Sequence, residues 1–240
     1  MNILITICAR GGSKGIPGKN IKLICGRPLI SYTIAQTQRI KEKWNSKVAL
    51  STDDVEIKRV AEESGLCSNY IRPDYLATDS AGKIDVIRDL LLYEESLTNF
   101  KYDYILDLDV TSPLRTLEDI ENSFAIINAK PEAQNLFSVN IAARNPYFNM
   151  VEENLDGYYS LSKTMQEYNI MTRQSAPKVY ELNASFYWYR RSFFDSNFKS
   201  AITNKSLIFE MKHICFDLDH SVDFLFMEYL MQHNRLNFEI

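Results

Sequence analysis

Histidine is scarce in this 240-residue chain, with only His213, His220 and His233, and the four cysteines (Cys8, Cys25, Cys67, Cys215) are widely spaced with no CxxC pair. These two shortages exclude the common zinc arrangements and leave the cysteines as reduced, mostly buried thiols. Positive charge is also in slight deficit: 27 Lys and Arg stand against 31 Asp and Glu, for a net charge of -4. A nonspecific nucleic-acid binder needs a basic face, so that class is disfavoured, although a local basic pocket for a small anion stays compatible with the total. No apolar stretch approaches the length of a membrane span. The opening run Ile3-Leu-Ile-Thr-Ile7 is too short and wrongly flanked for a signal peptide. The expectation is a cytoplasmic protein with neither membrane nor nucleic acid as a partner.

What is present fits a folded α/β chain. The composition is 45% hydrophobic and 24% charged, and the length suffices for one large domain. Aromatics are abundant, 14 Tyr and 13 Phe, which suits buried β-structure or an interface. Residues 2–8 form a continuous apolar run that ends in a Gly-rich loop, as a central parallel strand would. Further strands are expected at 47–51, 104–110, 136–142 and 184–190. Helices are expected from Pro28, from an Asp53 N-cap through Glu63, from Ser80 or Asp85 through Tyr93, after Arg115 to about Asn128, and over 221–232. Strand, crossover helix, strand, repeated, predicts a mostly parallel Rossmann-like sheet with helices on both faces. Between about 145 and 183 the periodicity weakens and polar and aromatic residues mix. This stretch is read as a β-rich arm inserted into a single domain of residues 1–240, its aromatics suited to contact with a second subunit.

In such sheets ligands bind beyond the carboxyl ends of the strands. The Gly-rich loop, Ser51-Thr-Asp-Asp54, Asp109 and the turn Thr111-Ser-Pro-Leu-Arg115 all follow strands and should gather on one edge. In the loop, Gly11, Gly12, Gly15 and Gly18 are interleaved with Arg10, Lys14 and Lys19. Glycines let backbone N–H groups approach phosphate oxygens, and the basic side chains supply the charge a triphosphate requires. The loop is neither a Walker A motif, since Ser13 stands where its first Gly should be and Asn20 follows Lys19, nor GxGxxG. A solvated surface loop is the plain alternative; its place directly after the first strand favours an anion site. Asp217 and Asp219 are two apart and could hold a divalent cation from one side, a weak signal that gains weight beside a triphosphate loop. Asp107 and Asp109 share one strand face, with Asp109 nearer the carboxyl end and so the better site candidate.

The segment Arg10-Gly-Gly-Ser-Lys-Gly-Ile-Pro-Gly-Lys-Asn20 closely resembles the nucleotide-binding loop of the acylneuraminate cytidylyltransferases, the CMP-sialic acid synthetases. Ser51-Thr-Asp53, Arg72-Pro73 with Leu76-Ala77-Thr-Asp79, Thr111-Ser-Pro-Leu-Arg115 and Asp217-Leu-Asp219 resemble later family segments in the family's order. The resemblance implies that CTP and a nine-carbon 2-keto sugar acid give a CMP-sugar and pyrophosphate. It implies nucleotide contacts at Arg10, Gly11, Gly12, Ser13, Lys14, Asn20, Arg72 and Ala81, with Arg10, Lys19 and Asp219 acting in catalysis. It further implies Mg²⁺ on Asp217 and Asp219, sugar contacts at Asp109, Arg173, Asn183 and Tyr187, and a homodimer.

Departures from the family bear on the sugar. Asp109-Val110 precedes Thr111 where N-acetylneuraminate enzymes carry Gln-Pro, so a carboxylate that only accepts replaces an amide. Asn145-Pro-Tyr-Phe-Asn149 stands where a basic residue follows a His-Pro step, and Glu181-Leu-Asn183 replaces a more basic pattern. These features resemble the branch that activates N,N'-diacetyllegionaminic acid. The alternatives are an N-acetylneuraminate enzyme, a nucleotide-sugar pyrophosphorylase acting on a sugar phosphate, and a catalytically dead nucleotide-binding module. The last would have lost the basic loop residues or Asp217 and Asp219, and all are present.

Overall fold

The computed structural model describes residues 1–12, 15–165 and 172–240. In chain order the elements begin with β1 (Ile3–Cys8), β2 (Leu23–Ile24), β3 (Arg27–Pro28), α1 (Leu29–Lys43), β4 (Ser46–Ser51), α2 (Val55–Glu63), α3 (Lys83–Ser96) and β5 (Tyr104–Leu108). They continue with α4 (Leu117–Asn128), β6 (Asn135–Ile141), β7 (Val151–Glu153), β8 (Tyr159–Leu161), β9 (Tyr180–Arg190), β10 (Ser206–Glu210) and α5 (Ser221–Gln232). Six strands form one sheet in the order β10-β6-β9-β5-β1-β4. β9 runs antiparallel to both its neighbours, and the other pairings are parallel. The mostly parallel, doubly covered sheet expected from the sequence is therefore present, with one reversed strand inside it.

Side-chain alternation divides the strands between two cores. Ile3, Ile5 and Ile7 of β1, Leu106 and Leu108 of β5, and Phe186 and Trp188 of β9 pack with apolar residues of α1, α2, α4 and α5. Leu4, Ile105 and Tyr189 face the other way, onto Ile84, Ile87, Leu90 and Leu91 of α3. The same alternation carries the buried polar residues Thr6 and Asp107 onto the α3 face, near the carboxyl ends of their strands. Aromatics concentrate where β9 crosses the sheet: Trp188 meets Trp44 edge-on at 5.9 Å and lies 5.0 Å from Phe124, and its indole N–H donates to Ser123 at 3.0 Å.

Three local details differ from the sequence reading. The N-cap of α2 is Asp54, whose carboxylate accepts from the backbone of Glu56 and Ile57, and Asp53 instead accepts from the Gly11 N–H at 3.1 Å. α3 begins at Lys83 behind Gly82, so neither Ser80 nor Asp85 caps it. Residues 180–183, read from the sequence as part of the arm, are the first residues of β9, and 180–182 pair with β6. Between β6 and β9 in the chain lies the separate hairpin β7–β8, whose six residues are all exposed, with Tyr158 beside it. Among the described residues no helix is long and apolar enough to cross a membrane.

The N-terminus of α4 carries a capping box in which the Thr116 hydroxyl accepts from the Asp119 N–H while the Asp119 carboxylate accepts from the Thr116 N–H. His213, in the loop after β10, sets its Nε2 2.8 Å from the same carboxylate and stacks near Phe238. Burial would lower the His213 pKa, but the bond to Asp119 outweighs it and raises it. Burial would raise Asp119, and the bonds from His213 and Thr116 bring it down. The His213 contribution to stability is complete below about pH 6.5 and is lost as pH rises through the raised value. That of Asp119 is complete above about pH 4 and is lost as pH falls through the lowered one. Unfolding free energy from urea titrations should therefore decline in the wild type as pH rises above about 6.5, and His213→Gln should flatten that decline.

Candidate functional site

The carboxyl ends of β1, β4 and β5 lie side by side, and the loops that leave them enclose a groove. One part, a cavity of about 250 Å³, is lined by Cys8, Arg10, Arg72, Leu76, Thr78, Asp79, Ala81, Lys83, Val86 and Asp109. A second, of about 310 Å³, is lined by Cys8, Arg10, Gly15, Lys19, Asn20, Asp109, Thr111 and Asp219. Cys8, Arg10 and Asp109 belong to both, so the two form one continuous depression. A larger hollow of about 420 Å³ lies alongside, over the first turns of α3.

The Gly-rich loop makes the wall of the second cavity. Gly11 has no room for a side chain: an added Cβ would stand 2.5 Å from Asp54 Oδ2 and 2.9 Å from Asp54 Cβ, whereas at Gly12 it would meet nothing within 4 Å. Gly18 adopts φ 64°, the left-handed conformation that glycine tolerates, and starts the short 3₁₀ turn Lys19–Ile21. The loop is tied down by its own polar groups. The buried Asn20 amide donates to the Arg10 carbonyl at 3.0 Å, Arg10 pairs with Asp79 at 2.7 Å, and Lys19 reaches Asp219 at 3.1 Å. Ser13 and Lys14, expected at the nucleotide, lie outside the described residues.

Across the groove, the turn Thr111 to Arg115 is organised by the guanidinium of Arg115, which is buried. Its Nη1 donates to the carbonyls of Asp109, Ser112 and Ser185, and its Nη2 to the Asp109 carbonyl and the Thr33 hydroxyl. No carboxylate among the described residues bonds to it. Gln36 of α1 completes the clamp, donating to the carbonyls of Pro113 and Arg115. The turn then holds the acidic segment: the Leu218 N–H donates to the Thr111 carbonyl at 2.8 Å, and the Ser112 hydroxyl to that of Phe216.

Asp109 accepts from the Thr111 N–H and hydroxyl through Oδ1, each at 2.9 Å, and pairs through Oδ2 with Lys83 at 2.6 Å. Burial would raise its pKa, but Lys83 and Thr111 hold the carboxyl down at about 2, so it is ionised near neutrality. Asp217 is half-buried, its Oδ1 has no hydrogen-bond partner, and burial with the neighbouring Asp109 charge raises its pKa. Asp219 is exposed and its partner is Lys19. Among the described residues no group of three or more His, Cys, Asp or Glu could hold a metal ion unaided. An orphaned buried carboxylate oxygen beside an exposed carboxylate does fit a hard cation that takes its remaining ligands from phosphate oxygens and water.

Of the other residues singled out in the sequence, Arg72 and Ala81 line the first cavity together, the Arg72 guanidinium anchored to Ser51 by Nε and Nη2 at 2.9 and 2.8 Å. Tyr187 reaches the site through Lys83, whose ammonium lies 5.3 Å from its ring centroid. Asn183 and Arg173 are not among the residues lining the groove. Asn183 is buried in the sheet, accepting from the Ser138 hydroxyl and donating to Asn140, beside a register shift in the β6–β9 pairing and the left-handed Ala184. Arg173 is exposed and donates to the Ala142 carbonyl at the base of the arm. No local motif in the sequence marks Lys83, because it opens an apolar helix like any solvated lysine. Nor does any local motif mark the clamping role of Arg115, whose carbonyl partners are brought together only by the fold.

Residues 4–234 match the family model described as Cytidylyltransferase. The chain is 38% identical over 234 residues to the post-translational flagellin modification protein B of Campylobacter coli, covering 98% of this chain and 97% of that protein. It is 37% identical over 235 residues to the CMP-N,N'-diacetyllegionaminic acid synthase of Campylobacter jejuni, with the same coverages. The fold resembles that of a CMP:2-keto-3-deoxy-manno-octonic acid synthetase solved with CTP, with a TM-score of 0.68 at 16% identity, over 98% of this chain and 100% of that one.

Four substitutions at three positions read out this geometry. Gly11→Ala should push the loop off Asp54 and lower stability by about 1–3 kcal/mol, while Gly12→Ala should change it by less than about 0.5 kcal/mol in the same denaturation assay. Arg115→Met strips donors from three carbonyls at once and should cost about 3 kcal/mol or more, with Arg115→Lys intermediate because an ammonium cannot span the same acceptors.

Proposed function

Since this chain belongs to the cytidylyltransferase family, we propose that it joins CTP to a nine-carbon 2-keto sugar acid, releasing pyrophosphate and a CMP-sugar, and that the acid is N,N'-diacetyllegionaminic acid. The observation that carries the reading is the continuous groove in which a basic Gly-rich wall faces an ionised aspartate across the junction of two cavities. One cavity suits the nucleoside, with Arg72 and Ala81 along it. The other suits the phosphates, with Arg10 and Lys19 supplying charge. The sugar's anomeric hydroxyl would attack the α-phosphorus in line where they meet. Catalysis of this kind is mainly positioning and charge neutralisation, which rigid loops on strand ends supply.

Asp217 and Asp219 are the residues to hold Mg²⁺, which would supply charge neutralisation on the phosphates. Lys19, paired with Asp219 without ligand, would turn to the phosphates. Asp219, directly or through water, would take up the proton of the sugar hydroxyl. Asp109, at the junction of the two cavities, and Tyr187, beside Lys83, would contact the sugar. Arg173, which does not line the groove and donates to the Ala142 carbonyl, would have to swing in to meet the sugar carboxylate, and the arm would seat on a second copy of the chain in a homodimer. Legionaminate is favoured by the Asp109-Val110 step ahead of Thr111 and by the Campylobacter jejuni relative.

Pyrophosphate release with CTP, measured against a panel of N,N'-diacetyllegionaminate, N-acetylneuraminate, pseudaminate and a sugar phosphate, is expected to be fastest with the first. Markedly better turnover of N-acetylneuraminate would reverse the sugar assignment, and turnover of the sugar phosphate alone would reverse the reaction class. Asp219→Asn should lower kcat by about 10²-fold or more even at saturating Mg²⁺. Near-normal turnover there would remove Asp219 from the chemical step.

A further inference from the structure

Lys83 is the first residue of α3, and its ammonium lies 2.8 Å from Asp107 Oδ2 and 2.6 Å from Asp109 Oδ2. The remaining oxygens are met by neutral donors: the Thr6 hydroxyl on Asp107, and the Thr111 N–H and hydroxyl on Asp109. Lys83 thus pairs with both carboxylates, Asp107 is fully buried, and the Lys83 side chain still opens onto the cavity that Arg72 and Ala81 line. Two carboxylates and one ammonium leave a single net negative charge in the groove floor. Without the ammonium that floor carries two, in a site whose ligand is a polyanion. At the separations of one groove and an effective dielectric near 20, one uncompensated charge changes affinity by about tenfold to a hundredfold.

We propose that Lys83 is a positioning residue that neutralises the Asp107–Asp109 pair beneath the nucleotide and so makes the groove floor admit a triphosphate. The inference rests on the nucleotide reading above and adds a residue outside the basic loop. Lys83 acts through charge and not through shape, since its ammonium is spent on the aspartates, in a hydrogen bond to Asp109 and an ion pair with Asp107. Its removal should therefore be felt in proportion to the ligand's phosphates, and should be relieved by removing one carboxylate.

The test compares CTP and cytidine binding at pH 8.5, by calorimetry and ligand-observed NMR, for the wild type, Lys83→Met, Lys83→Arg and the double variant Lys83→Met/Asp109→Asn. Lys83→Met is expected to weaken CTP at least about tenfold while changing cytidine less than about threefold. Lys83→Arg should stay near the wild type. The double variant, whose floor again carries one negative charge, should recover most of the lost CTP affinity. Equal losses for CTP and cytidine, or no recovery in the double variant, would overturn the proposal. If Lys83→Met does not fold, the double variant decides alone: CTP affinity within a few-fold of wild type supports charge compensation, and a loss of tenfold or more rejects it. A wild type that binds neither CTP nor cytidine would instead overturn the nucleotide reading itself.

Discussion

A charged guanidinium in the protein interior must be met by oxygen atoms, because leaving it unsolvated costs several kcal/mol. Arg115 meets that demand with backbone carbonyls: those of Asp109 beyond β5, Ser112 in the turn and Ser185 in β9, together with the Thr33 hydroxyl on α1. One side chain therefore sets the relative placement of three parts of the fold. The rest of the site hangs from that clamp. Thr111, held by it, orients Asp109 through two hydrogen bonds and pins the segment carrying Asp217 and Asp219 through the Leu218 amide. A carbonyl cage suits this task better than an ion pair would, since it leaves every nearby carboxylate available for the groove.

Charge in the groove is balanced by pairs that differ in permanence. Arg10 with Asp79 and Lys19 with Asp219 are partly exposed contacts across the mouth, weak enough in water to exchange for phosphate. Lys83 with Asp107 and Asp109 lies on the floor, with one aspartate fully buried and both carboxylates paired to the same ammonium. The outer pairs can open as a ligand enters, and the inner one persists as part of the surface it meets. The opposition of a yielding rim and a fixed floor follows from burial alone.

The arm stands apart from this economy. Its hairpin exposes all six strand residues, and Tyr158 and Tyr159 are largely open to solvent. An exposed aromatic hairpin contributes little to the fold of one chain, which accords with the proposed role at a second subunit.

Elements with a strong period were legible from residues alone. The apolar run of β1, the alternating β5 and the helix ending at Asn128 stand where periodicity places them, because burial of one face dictates that spacing. The Gly-rich loop, Asp109 and the Thr111 to Arg115 turn were also legible as neighbours at one sheet edge, since parallel strands must present their carboxyl ends together. Cap identity was not: Asp53 and Asp54 are chemically equivalent, and only the approach of Gly11 gives one to the loop and the other to α2. Nor could sequence separate Asn183, spent on the irregular pairing of β6 and β9, from a residue facing the groove. Lys83 shows the limit most clearly. The sequence determined the sheet, its loaded edge and the chemistry of the loop, because these depend on local pattern. Which lysine sits between two aspartates 24 and 26 positions away was decided by the tertiary structure, which lays the first turn of α3 over the polar ends of β1 and β5.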